Sequence, residues 1–79
     1  MTDEELLDYM QSILDEMRPN IQMDGGDVIL DKFEDGVVYL LFEGECATSQ
    51  LVFETVKSNI ETRLKEEIPE VVEVIAAKQ

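Results

Sequence analysis

Val28-Ile29-Leu30-Asp31-Lys32-Phe33-Glu34, then Asp35-Gly36, then Val37-Val38-Tyr39-Leu40-Leu41-Phe42-Glu43: this stretch decides the fold. Two runs rich in β-branched and aromatic residues flank Asp-Gly, the dipeptide that type I′ hairpin turns favour because both central residues need positive φ. The reading is a hairpin with strands at 28–34 and 37–43. Side chains alternate across a strand, so Val38, Leu40 and Phe42 share one face and Val37, Tyr39 and Leu41 the other. On the first strand Val28 and Leu30 lie on one side and Ile29 and Phe33 on the other. Asp31 interrupts that pattern, and a bulge there would shift the register.

Working outward, Thr2 and Glu5 form a capping box, after which Leu6, Leu7, Met10, Ile13, Leu14 and Met17 recur at helical spacing. Pro19 disfavours helical backbone at Arg18, so the first helix is expected over about 3–18. Asp24-Gly25-Gly26-Asp27 reads as a turn. Beyond the hairpin, Thr48 or Ser49 caps a second helix carrying Val52, Val56, Ile60 and Leu64, which Pro69 closes after Ile68. The β-branched run Val71 to Ala76 reads as a third strand. The fold class is therefore a two-layer α/β (α+β) domain over residues 1–79, ordered helix-strand-strand-helix-strand. A three-stranded mixed sheet carries both helices on one face. The third strand is expected beside the first and antiparallel to it, with a place beside the second as the alternative.

Composition limits function. The 79 residues include 19 acids and 6 bases, a formal charge of −13, with no histidine and one cysteine. Phosphate neutralisation needs Lys and Arg, so neither nucleic acid nor an anionic membrane is an expected partner. The acids suit steering toward a basic partner. Without histidine there is no Ser–His or Cys–His pair, and the chain is not expected to be an enzyme. A lone cysteine fits a reducing, cytoplasmic compartment. Asp24, Asp27 and Asp31 lack the spacing and closing Glu of a calcium loop, which leaves the turn reading.

Cys46 is the site candidate. It follows a strand and precedes a helix, where unpaired amides favour thiolate, while Glu43 and Glu45 oppose it. The competing reading is a cysteine that packs as a small hydrophobe. Ile29, Tyr39 and Leu41 are expected to form a semi-apolar patch on the helix-free sheet face.

Arg18-Pro19, Met23-Asp24-Gly25-Gly26-Asp27-Val28, Asp35-Gly36-Val37-Val38, Gly44-x-Cys46, Ile60-Glu61 and Glu66-Glu67-Ile68-Pro69-Glu70-Val71 resemble the NifU carboxy-terminal (Nfu-type) domain, from about residue 4 to 77. The resemblance implies an iron–sulfur cluster scaffold or carrier, its cluster bridging two protomers through Cys-x-x-Cys. It also implies iron–sulfur client or assembly proteins as partners. Carried over by position, the first ligand falls on Cys46, assigned to metal and cofactor, and the second cysteine on Ser49. The Pro-Ser-Ser that follows in the family falls on Gln50, Leu51 and Val52. A cluster takes four ligands, normally thiolates, and a symmetric dimer of this chain offers two. A serine alkoxide is a harder and poorer donor. The expectation is a chain that is monomeric without a cluster. Its alternative function is a metal-free interaction module that keeps the fold.

Overall fold

A computed structural model describes residues 2–78. Helix α1 spans Asp3–Met23, β1 Gly26–Glu34, β2 Val37–Gly44, α2 Glu45–Thr48, α3 Gln50–Glu67 and β3 Glu73–Lys78. The capping box is present: the Glu5 amide donates to Thr2 Oγ1 at 3.2 Å and the Thr2 amide to the Glu5 carboxylate at 3.4 Å.

The helix does not stop at Arg18. Pro19 lies inside α1, and the last turn continues to Met23. A proline removes one helical N–H and biases the residue before it, but tertiary contacts compensate here. Ile21 is buried in the core, and Arg18 grips Asp27 across the turn that follows.

The hairpin forms as read. Asp35 and Gly36 have φ of 51° and 80°, the doubly positive pair that the Asp-Gly turn requires. The register shifts between Leu30 and Lys32, so Asp31 is the extra residue of a bulge. The bulge corrects the facing of one side chain. Phe33 pairs with Val38 and is buried with Val28, instead of lying beside the exposed Ile29.

The third strand takes the other edge. The sheet order is β1-β2-β3, with β3 parallel to β2 and Val38 opposite Val74. The expected place beside β1 is therefore wrong, and the alternative beside β2 holds. After α3 the chain returns to the hairpin turn, where the amides of Val72 and Glu73 both donate to Gly36 O at 2.7 and 3.3 Å. That anchor delivers β3 to the β2 edge.

Both long helices cover one sheet face. Leu6, Met10, Ile13, Leu14 and Ile21 of α1 share a core with Val56, Ile60 and Leu64 of α3 and with Val28, Val38, Leu40, Phe42 and Val74 of the sheet. Truncating a residue as buried as Phe42 to alanine would cost about 3–5 kcal/mol. Phe42 also meets Phe53 edge-on, with ring centroids 5.1 Å apart, which ties the start of α3 to the end of β2.

Candidate functional site

At the end of β2, Gly44 adopts φ 66°, and a side chain there would run into Gly25 O at 2.5 Å. This bend turns the chain into the one-turn helix α2, which places Cys46 on a helix of its own rather than at the head of the long one. Ser49 separates the two helices and caps α3 by accepting from the Val52 amide at 3.5 Å.

Cys46 is completely buried and unpaired. Its sulfur sits beneath Gly26, so close that any side chain at that position would overlap it. Beside it, the Glu45 amide donates to Gly25 O at 3.1 Å. The glycine pair thus forms a roof over α2. The turn expected over residues 24–27 is therefore also a packing element, since a glycine at a strand start permits close backbone approach. Gly26 has an ordinary φ and is required for space alone.

Electrostatics follow from that burial. Desolvation pushes the Cys46 thiol up from its ordinary range, and the carboxylates of Asp24, Asp27 and Glu45 push it the same way. Of the two opposing influences read from the sequence, helix amides and nearby carboxylates, the balance favours the neutral thiol. Asp24 and Asp27 act on the sulfur through the glycine roof, a contribution invisible in the sequence. Asp27 is itself engaged: Arg18 Nε and Nη2 donate to Oδ1 and Oδ2 at 3.0 and 2.8 Å, and the Val28 amide donates to Oδ1 at 2.8 Å. These bonds, the Arg18 guanidinium foremost, hold the Asp27 carboxyl below its usual range.

The residues after Cys46 have structural work. Gln50 Oε1 accepts from Lys78 Nζ at 2.9 Å, and that ammonium lies 4.6 Å from the centre of the Phe53 ring. Val52 and Phe53 pack against the core, whereas Leu51 is 76% exposed. Among the described residues, no three Cys, His, Asp or Glu side chains gather as a metal site. A buried thiol and a capping hydroxyl do not supply the four ligands of an iron–sulfur cluster. Among those residues, too, no helix is long and apolar enough to cross a membrane.

The chain matches the family described as "NifU-like domain" over residues 10–75. This chain belongs to the NifU-like domain family. It is 41% identical over 70 residues to the human "NFU1 iron-sulfur cluster scaffold homolog, mitochondrial", covering 87% of this chain and 28% of that protein. It is 40% identical over 67 residues to "NifU-like protein 2, chloroplastic" of Arabidopsis thaliana, covering 85% and 28%. With "NifU-like protein 1, chloroplastic" of Oryza sativa subsp. japonica it shares 42% over 65 residues, covering 82% and 29%. The chain therefore spans under a third of the length of these relatives.

Proposed function

We propose that this chain is an iron–sulfur cluster assembly or carrier domain with a degenerate ligand motif, in which Cys46 is the one protein thiol offered to the cargo. The match to the NifU-like domain across residues 10–75 carries this reading. Ser49 takes the place of the second cysteine, and the remaining ligands come from outside the chain. Its partners in this reading are iron–sulfur client or assembly proteins, and it works as a carrier without enzymatic turnover. A free thiol suits a reducing compartment, the cytoplasm in the simplest case.

The burial of Cys46 favours a second reading, a metal-free interaction module on the same scaffold. To act as a ligand, the thiol must leave its place beneath Gly26, deprotonate and reach the surface. Anaerobic reconstitution with iron and sulfide separates the two. Under the carrier reading, visible charge-transfer absorption appears with added small thiols and disappears in Cys46→Ala. No absorption in any thiol, with Ser49→Cys also colourless, favours the interaction module.

A further inference from the structure

Among the described residues, no element covers the sheet face away from the helices. Ile29 and Leu41 sit opposite each other on β1 and β2, and Tyr39 sits opposite Ile75 on β2 and β3. Ile29 is 42% exposed and Ile75 41%, with Tyr39 and Leu41 half-buried between them. The apolar strip thus crosses all three strands. Outward positions on a sheet normally carry polar side chains, and contiguous apolar ones mark contact surfaces.

Charge frames the strip. Glu43 continues the outward row of β2 beyond Leu41, and Glu73 stands opposite Val37 at the other end. Among the described residues neither forms an ion pair. Among the described residues, Lys32 is a cation within this face, tied to Glu34 at 3.1 Å and 4.8 Å from the centre of the Tyr39 ring, while Arg18 is held by Asp27 at its edge. Dimensions narrow the occupant further. Three strands span about 10 Å from first to last, the width of one α-helix with its side chains. Six residues of β2 separate the two acidic ends, about 20 Å, which matches roughly 14 helical residues.

We propose that this face docks an amphipathic helix of a partner protein, about four turns long, with an apolar stripe between basic ends. A second copy of the chain fits badly, because it would set Glu43 and Glu73 against like charges at −13 per chain. Nucleic acid and anionic membranes are repelled for the same reason. The proposal rests on the carrier reading only for who the partner is, a client or assembly protein. The docking itself needs no cluster, so the test uses the metal-free chain and its failure is separate from failure of reconstitution.

The full chain, labelled with ¹⁵N, is titrated with a helical peptide that has a leucine stripe and arginine pairs at both ends. A sister peptide carries glutamates at the same ends. The arginine-ended peptide is expected to shift amides of residues 29, 37–43 and 73–77. Its affinity should fall at least about tenfold, or 1.4 kcal/mol, in Leu41→Lys and in Ile75→Lys. It should also weaken with added salt, and the glutamate-ended peptide should bind at least about tenfold more weakly. Amide dispersion checks that each variant is folded, and Ile75→Lys, on an edge strand, serves if Leu41→Lys unfolds. Equal binding of the two peptides, shifts confined to α1 and α3, or undiminished affinity in the folded variants overturns the proposal. So do concentration-dependent shifts of this face without peptide, which would give it to a second copy.

Discussion

The sulfur of Cys46 fills the space that a side chain on Gly26 would need, so the two positions share one volume. Gly26→Ala is expected to destabilise the chain by about 1–3 kcal/mol, the usual cost of overpacking. Adding Cys46→Ala should recover only part of that loss, because an added Cβ at 26 would also stand 2.8 Å from the Cys46 backbone nitrogen. Urea unfolding of both variants measures this, and full recovery in the double variant would place the conflict on the sulfur alone.

Cys46 should resist alkylation in the native chain. A thiol that is buried and pushed up in pKa reacts through opening of the fold, so its labelling rate at pH 8 should rise with urea alongside unfolding. The fold favours the neutral thiol, so its contribution to stability is fully present below the unfolded thiol pKa of about 8.5. It is lost as pH rises through the higher folded value. Cys46→Ala should therefore flatten the fall of stability above that pH; fast labelling by iodoacetamide in folded chain would contradict the buried site.

Acid stability should depend on Arg18. Asp27 has its folded pKa lowered, first by the Arg18 hydrogen bonds. Its contribution is present above the unfolded aspartate pKa of about 3.9 and is lost as pH falls through the lower folded value. Arg18→Met should lower the thermal midpoint at pH 7 and make no difference at a pH below both values. A constant deficit at every pH would assign the effect to packing of the Arg18 stem.

Ser49→Cys should separate capping from ligation. Losing the hydroxyl cap of α3 costs up to about 1 kcal/mol, at the low end because the bond to Val52 is long. Ser49→Asp, which keeps a cap, should retain stability while offering no thiol. Without added small thiols, a site of the NifU type should give iron–sulfur absorption and a cluster-dependent dimer by sedimentation only in Ser49→Cys. Equal uptake by the aspartate variant under the same conditions would mean that a thiol at position 49 is not what completes the site.

Local chemistry made much of the architecture readable. The Thr2–Glu5 box, the Asp35-Gly36 turn, the bulge at Asp31 and the four-residue spacing from Val56 to Leu64 each involve neighbours in the chain. What was missed depends on distant partners. Pro19 is carried by Ile21 in the core and Arg18 on Asp27. The position of β3 does have a signal in composition. Val37 to Phe42 is apolar at every residue, as befits a central strand, while β1 carries Asp31, Lys32 and Glu34, as befits an edge. At the site, packing of Cys46 as a small hydrophobe is one of two readings the sequence leaves open, because the roof that buries it comes from residues 20 positions earlier.

The strand order also sets a timetable for folding. Val37 pairs with Glu34, three residues before it, and with Glu73, thirty-six residues after it. The first contact closes through a two-residue turn, which hairpins accomplish in about 1–10 μs. The second must wait for α3 to bring the chain back, with the loop-closure entropy that a distant pairing demands. One strand therefore belongs to both an early and a late event. Mutations along its β3 edge should chiefly speed unfolding, and those in the turn should chiefly slow folding.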